Sequence, residues 1–257
     1  MSCQTRPAFW RRQQRLPLEV NRFLQIRLQA ALREPAERTL LVWPAILGSP
    51  VQREAHPRGI PERQLLALAA RMVMAVGGRA PSTAWSQDRD ALPDTAAQDS
   101  SGWKAHGLWE PFAAQVSLRS GVALLALTGQ PEDDRYLLAC GVALFNRALF
   151  HECHDALELL WRRSEGDLKR GLQGLILLAS GYYHQQHHQA AGMRSIWKDG
   201  IPHLWPFQGT LETPWGRIAF TESLAMASQR LEWLQHTSTD EDWTQFWETS
   251  SPQWEFA

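Results

Sequence analysis

The sequence predicts an all-α protein, an antiparallel helical bundle with a mainly helical N-terminal extension. Two observations lead to this prediction. Over most of the second half of the chain, apolar residues recur at the three- and four-residue spacing of a helix face. The connections between these periodic segments are short, and short connections place successive helices side by side in opposite directions. We expect the bundle to span residues 107–236.

The N-terminal region, residues 1–80, is basic and is predicted to be mainly helical. A helical pattern covers residues 20–32 and ends before Pro35. A second pattern over 62–76 is terminated by Gly77, because glycine commonly ends helices. The purpose of this region is not indicated by any chemical motif.

The segments between and after these helices show weaker patterns. For residues 39–47 we expect a short strand or an extended segment, because Pro44 interrupts an apolar run. Several prolines make 48–61 a predicted loop. Residues 81–106 are poor in apolar side chains and rich in Ser, Asp, Ala and Pro, so we expect a linker or a long surface loop.

The bundle itself is predicted from six helical patterns. They cover residues 108–127, 133–146, 149–163, 167–184, 189–197 and 218–236. Pro131 or Asp133 is expected to start the second of them. Residues 237–257 form an acidic, Trp-containing tail, for which we expect a loosely ordered end that packs a few Trp side chains on the body.

Charge argues against a nucleic-acid binder. The net charge is −1, whereas affinity for the phosphate backbone rests on an excess of Lys and Arg. The charge is unevenly distributed, since residues 1–80 hold 13 Lys and Arg against 5 Asp and Glu, and the remainder holds 13 against 22. This asymmetry favours attraction between the two halves, or between two copies in a homo-oligomer.

Cysteine usage and hydropathy indicate a cytoplasmic protein without a membrane segment. The three cysteines do not form a disulfide framework, and no CxxC spacing of a zinc site occurs. The first 25 residues lack the apolar core of a secretory signal. The longest apolar runs are far shorter than the roughly 18 residues needed to span a bilayer.

The most informative stretch is 145–162. Read as a helix, it places five polar residues on one stripe, because helical neighbours lie three and four positions apart: His151, His154, Asp155, Glu158 and Arg162. The opposite side is apolar, and Glu152 lies on the flank. A polar face of this kind in an apolar region indicates either a site or an internal ion-pair network.

This stretch resembles the all-α bacterial and archaeal family catalogued as domain of unknown function 309. The matching residues are Phe145, Asn146, Phe150, Glu152, His154, Leu157, Glu158, Trp161 and Arg162. A second element of the family matches Leu172, Gln173, Gly174, Leu175, Ile176 and His184, and a third matches Gly192. The resemblance covers about 133–200.

The sequence departs from the family pattern at four positions, Ala148, His151, Asp155 and Leu177. His151 is therefore a local feature of this chain. The resemblance implies a compact helical bundle. It implies no reaction, because no activity is established for the family.

One interpretation of the polar stripe is a divalent metal site. Imidazole nitrogen and carboxylate oxygen suit zinc, manganese or iron. His154 and Glu158 are four residues apart and can reach one ion, Glu152 can join from the flank, and His184 from the facing helix. In a metal-dependent hydrolase, Glu152 would act as the base.

A second interpretation is a network that fixes the helices, in a binding or structural module. Its members would be Glu152, His154, Asp155, Glu158, Trp161, Arg162, Gln173 and His184. Polar networks of this type contribute specificity of packing more than stability. The sequence favours this module over an enzyme, while leaving open whether the protein is a catalyst.

A third interpretation is a ribonuclease. Arg147 and His154 are separated by six residues, which fits the loose Arg-x4-6-His pattern of helical RNases of the HEPN type. In that chemistry, His154 would act as general acid or base and Arg147 would bind the phosphate. The acidic second half of the chain disfavours a phosphate substrate.

Overall fold

The computed structural model describes residues 15–75, 96–99, 102–105, 107–127, 133–236 and 251–257. Helices dominate, and they are accompanied by a two-stranded and a three-stranded antiparallel sheet. The predicted all-α class is therefore confirmed. The chain divides into two compact units. We call Leu16–Glu132 the N-terminal unit, and Met1–Arg15 together with Asp133–Ala257 the C-terminal unit.

The N-terminal unit contains five described helices and one hairpin. The helices are α1 (Leu18–Arg33), α2 (Thr39–Leu47), α3 (Pro50–Ala55), α4 (Glu62–Ala75) and α5 (Ala113–Ala126). The hairpin pairs β1 (Ala96–Asp99) with β2 (Gly102–Ala105). Short 3₁₀ turns, Pro35–Arg38 and Gly107–Phe112, precede α2 and α5.

The prediction of an extended segment at 39–47 was wrong, because this segment is helix α2. Pro44 lies inside the helix and costs it one backbone hydrogen bond. Burial outweighs this cost, since Val42 and Trp43 are almost completely excluded from solvent. The Ser117 hydroxyl on α5 donates to the Ala45 carbonyl at 2.5 Å, which satisfies one of the open carbonyls at the end of α2.

Other parts of the first half also differ from expectation. The predicted loop at 48–61 contains helix α3. The predicted linker at 81–106 contains the β1–β2 hairpin. An isolated β-bridge between Ile60 and Trp103 joins this hairpin to the N-terminal unit. Residues 76–95 lie outside the described residues. Helix α5, expected to open the bundle, packs on α2, so that the division between the units falls after Glu132.

The C-terminal unit is the helical bundle. Its helices are α6 (Asp134–Asn146), α7 (Phe150–Trp161), α8 (Gly166–Gln186), α9 (Ala190–Leu204) and α10 (Thr221–His236). Consecutive helices from α6 to α9 pack on one another. Asp133 is the N-cap of α6 and accepts a hydrogen bond from the backbone nitrogen of Tyr136 at 2.9 Å, one of the two starts that the sequence suggested.

Close contact between α8 and α9 depends on a glycine. A Cβ added at Gly181 would collide with the indole ring of Trp197. That ring is fully buried, and its Nε1 donates to the carbonyl of Leu178 at 3.1 Å. The glycine thus allows a large aromatic side chain of α9 to lie against the backbone of α8.

The end of the unit contains a small sheet that the sequence did not indicate. Helix α9 extends through Pro202, and a hairpin follows, formed by β3 (Thr210–Thr213) and β4 (Gly216–Ala219). Ile218, expected in the last helix, lies in β4 and is fully buried. Strand β5 (Glu255–Phe256) adds to β4 on its other side.

The tail is described only at its end, because 237–250 lie outside the described residues. The expected packing of tryptophan on the body is seen at Trp254, which is 2% exposed. The segment around it is a paired strand rather than a loose end. None of the described helices is both long and apolar enough to cross a membrane.

Candidate metal centre

Helix α7 has the two faces that the sequence predicted. Cys153, Ala156, Leu157 and Leu160 are fully buried on its apolar side. The helix follows a tight turn in which Ala148 has a positive φ of 57°, a conformation that is uncommon for a residue with a Cβ. The turn redirects the chain from α6 into α7, so that the polar stripe of α7 begins one residue after the helix does, at His151.

Asp155 is the centre of the polar stripe. Its side chain is 1% exposed, and both of its oxygens face imidazoles. His151 Nδ1 lies 3.2 Å from Asp155 Oδ2, and His154 Nδ1 lies 3.1 Å from Asp155 Oδ1. The two imidazole side chains are 29% and 35% exposed, so a buried carboxylate holds two rings that solutes can reach.

The electrostatics of Asp155 favour its charged form. Burial by itself raises the pKa of this carboxyl group, but hydrogen bonds from His151 and His154 outweigh burial and lower the pKa to about 2. Asp155 is therefore ionised at neutral pH and only accepts hydrogen bonds. His154 Nδ1 therefore donates to Asp155 Oδ1, while His151 Nδ1 lies at ion-pair distance from Asp155 Oδ2.

Cys153 is fully buried on the apolar side of α7. Burial, followed by the nearby charges of Asp155 and Glu152, raises the pKa of its thiol well above the ordinary value. A thiol must lose its proton before it can ligate a metal. Cys153 therefore acts as an apolar core residue of α7.

Three side chains of the stripe bring potential metal ligands together. His154, Asp155 and Glu158 each offer one ligand atom, and these atoms lie within 4.8 Å of one another. Glu158 Oε1 also accepts a hydrogen bond from Arg162 Nη2 at 3.0 Å, an ion pair within one helix. Two of the four predicted ligands, His154 and Glu158, thus lie in one group with Asp155, a residue predicted from the sequence to belong to the network.

Helix α8 forms a second wall next to this stripe. The ring of Tyr183 lies edge-on to His151, with 5.2 Å between the ring centroids, and His187 lies 4.5 Å from Tyr183. Tyr183 was not among the site residues predicted from the sequence. The sequence signal that could have indicated Tyr183 is its spacing of four residues from His187, since two residues four apart lie on one face of a helix.

The other two predicted ligands lie elsewhere. Glu152 is buried, with 6% exposure, and is not part of the three-residue group. His184 Nδ1 is 2.7 Å from Gln189 Oε1, and its ring packs against Gly192 so closely that a Cβ there would collide with it. His184 and Gly192, both matched to the family pattern, therefore form a packing contact between α8 and α9.

Gln173 and Trp161 are the other two residues of the predicted network. Gln173 is half-buried within α8. Trp161 is half-buried at the end of α7, where Lys169 Nζ lies 4.8 Å above its ring centroid. The ion pairs described for the stripe are those of Asp155 with His151 and His154 and that of Glu158 with Arg162.

Arg147, the residue suggested for phosphate binding, follows the last residue of α6. Its Nη1 donates to the carbonyl of Ala143, one turn earlier in the same helix, at 3.0 Å. This contact satisfies an open carbonyl at the helix end. No described contact joins Arg147 to His154.

The helices that carry the stripe are also the part of the chain that is similar to a known family. Three features follow one another along α6 to α9 in the order of the family pattern. They are Phe145–Asn146 at the end of α6, the polar stripe of α7 and the glycine contacts between α8 and α9. Residues 138–196 match the family model described as Domain of unknown function (DUF309). The resemblance inferred from the sequence is thus confirmed over this segment.

We call residues 138–196 the DUF309 segment. It contains α7 and α8 entirely, most of α6 and the first part of α9. His151, His154, Asp155 and Glu158 all lie inside it. No curated protein and no solved structure gives a significant match to the chain.

Proposed function

We propose that the DUF309 segment binds one divalent transition-metal ion through His154, Asp155 and Glu158, and that the protein is a metal-binding module. The observation that carries this proposal is the spacing of the three ligand atoms, all within 4.8 Å of one another. One imidazole and two carboxylates form a donor set suited to zinc, manganese or iron.

The contact between His154 and Asp155 supports the proposal. Their Nδ1 and Oδ1 atoms are 3.1 Å apart. Two ligand atoms that are each about 2.0–2.2 Å from one ion have a similar separation. An ion bound here would take the place of the Nδ1 proton of His154, and the neutral ring would carry its proton on Nε2. Metal ligation requires this neutral form of the imidazole, so binding weakens as the pH falls.

Access and charge also support binding rather than a purely structural network. Both imidazoles of the stripe are about one third exposed. Asp155 keeps its negative charge at neutral pH, because hydrogen bonds from the two imidazoles outweigh the effect of burial. Among the described contacts, His184 Nδ1 lies 2.7 Å from Gln189 Oε1 at the end of α8.

The proposal stops at binding and does not extend to hydrolysis. A metal-dependent hydrolase needs a base that can reach a water molecule on the ion. Glu152, suggested by the sequence for this role, is buried outside the ligand group. The ribonuclease alternative loses support as well, because Arg147 caps its own helix.

The proposal is tested by restoring metal to protein that has been treated with a chelator. We expect zinc, manganese or iron(II) to bind with a stoichiometry of one in calorimetric titration. Binding should raise the free energy of unfolding by about 2.7 kcal/mol at a hundredfold excess over Kd. His154→Ala should abolish both effects, and His236→Ala, which changes an exposed histidine at the end of α10, should preserve them.

Two results would contradict the proposal. One is a wild-type melting temperature that no metal changes, together with an absence of heat in the titration. The other is equal binding by the wild type and by His154→Ala, which would place any bound metal at another group of side chains.

A further inference from the structure

Segment 251–257 is held by the C-terminal unit through contacts that resemble those of a bound peptide. Strand β5 pairs antiparallel with the edge of β4, with Phe256 opposite Ile218 and Glu255 opposite Ala219. The pairing continues at Arg217, which exchanges backbone hydrogen bonds of 2.9 and 3.1 Å with Ala257. Addition of an extended segment to a sheet edge is a common mode of peptide recognition.

A side-chain amide extends this backbone recognition by one residue. Asn146 Nδ2 donates to the carbonyl of Trp254 at 2.8 Å, and the backbone nitrogen of Trp254 donates to Asn146 Oδ1 at 2.7 Å. Asn146 thus pairs with the segment as a neighbouring strand would. Gln253 Nε2 donates in turn to the Asn146 carbonyl at 3.3 Å.

The indole ring of Trp254 fills a pocket that matches it in shape and polarity. It stacks on Phe145 with a centroid distance of 3.8 Å and an angle of 9°. Its Nε1 donates to Ser223 Oγ at 2.9 Å. The serine is held in place because its hydroxyl donates to the Phe220 carbonyl, while its own carbonyl accepts from Tyr182.

We propose that this groove is a peptide-binding site and that segment 251–257 is its detachable ligand. We define the groove by Phe145, Asn146, Tyr182, Ser223 and the edge of β4. Its second occupant is the same segment from another copy of this chain. The ligand class is an extended peptide with one tryptophan anchor, since a buried aromatic side chain supplies most of the affinity in such complexes.

The chain length around the segment allows exchange between copies. Fourteen residues, 237–250, connect α10 to the segment. When fully extended, a connection of this length spans roughly 50 Å, at about 3.4 Å per residue. Attachment gives the chain's own segment a high effective concentration, and a segment supplied by another molecule competes when its concentration exceeds that value.

The first experiment supplies the segment in trans. A variant that lacks 251–257 is titrated with a fluorescent peptide of sequence Ser-Pro-Gln-Trp-Glu-Phe-Ala, and polarisation is recorded. We expect saturable binding that weakens at least about 30-fold when Trp254 of the peptide is replaced by Ala. A peptide with Gln in place of Glu255, an exposed position, should bind as the original does.

The second experiment starts from the folded full chain and therefore does not require the shortened variant to fold. A specific protease site is inserted between 237 and 250, and the chain is cleaved after folding. Native mass spectrometry should show the severed segment still bound, and excess synthetic peptide should displace it. In Trp254→Ala, the severed segment should dissociate at once.

Either of two outcomes overturns the proposal. One is a folded shortened variant that shows no saturable binding of the peptide up to about 1 mM, a limit that corresponds to very weak affinity. The other is immediate loss of the severed segment from the wild type, as rapid as its loss from Trp254→Ala. In that case the segment would be held by its attachment rather than by the groove.

Discussion

Asn146 and Trp254 are 108 residues apart in sequence and hydrogen-bond twice, with the amide side chain of Asn146 pairing with both backbone polar groups of Trp254. Asn146 belongs to the motif that carries the family resemblance, whereas Trp254 lies outside the matched range of 138–196. A residue of the DUF309 segment therefore anchors a part of the chain that the family model does not cover.

The contribution of this anchor is measured by Asn146→Ala. The change removes two hydrogen bonds and leaves the backbone groups of Trp254 without their partner. We expect the free energy of unfolding to fall by about 1–3 kcal/mol in urea denaturation. Gln229→Ala, at an exposed position of α10, is the matched control and should change it by less than about 0.5 kcal/mol. Equal effects of the two changes would show that the anchor contributes no stability.

A pair of glycine substitutions tests the close packing of α8 and α9. Gly181→Ala should destabilise the C-terminal unit by about 1–3 kcal/mol, because the new Cβ meets the buried ring of Trp197. Gly121→Ala, in the interior of α5, meets no atom within 4 Å and should stabilise the N-terminal unit by about 0.5–1 kcal/mol. Thermal unfolding by calorimetry records both changes. A neutral result for Gly181→Ala would mean that Trp197 can move away from α8.

The pH dependence of the free energy of unfolding should show the contribution of the Asp155 charge. Burial disfavours its charge, but hydrogen bonds from His151 and His154 lower its pKa from 3.8 to about 2 in the folded state. A lowered folded-state pKa stabilises the fold above the unfolded pKa, and this contribution is lost as the pH falls from about 4 to 2. We expect Asp155→Asn to be less stable than the wild type by about 2 kcal/mol at pH 5.

This difference should shrink steadily below pH 4 and disappear near pH 2, where Asp155 of the wild type becomes protonated. Urea denaturation at four or five pH values measures it. A difference that stays constant from pH 5 to pH 2 would show that the charge of Asp155 does not stabilise the protein.

Arg162 provides a sensitive test of the metal proposal. Its Nη2 competes for Glu158 Oε1, which is one of the proposed ligand groups. The ion pair is partly exposed, with Arg162 at 59% and Glu158 at 24%, so it contributes little to stability. Arg162→Gln should therefore leave the melting temperature nearly unchanged and tighten zinc binding about twofold, the equivalent of a helical ion pair of a few tenths of a kcal/mol.

Calorimetric titration of both proteins provides the comparison. Arg163→Gln, which changes the neighbouring arginine whose ion pair is with Asp134, is the control and should bind zinc as the wild type does. Weaker zinc binding by Arg162→Gln would indicate that the ion does not use Glu158.

The sequence by itself determined the helices of the C-terminal unit and the two faces of α7. Helical periodicity is a local property, so the apolar side with Leu157 and Leu160 was visible without any knowledge of the fold. The same holds for the Asp133 cap, because capping joins residues only three apart. The DUF309 resemblance rested on these local spacings too.

Tertiary structure alone decided the features that depend on distant partners. Residues 39–47 became a helix because α5 covers them, and burial there outweighs the cost of Pro44. The ring of His184 packs against Gly192 of α9. Trp254 forms a hydrogen bond with Asn146, which is 108 residues away in sequence. No local pattern encodes such contacts, because they form only when packing brings separate elements within a few ångströms of each other.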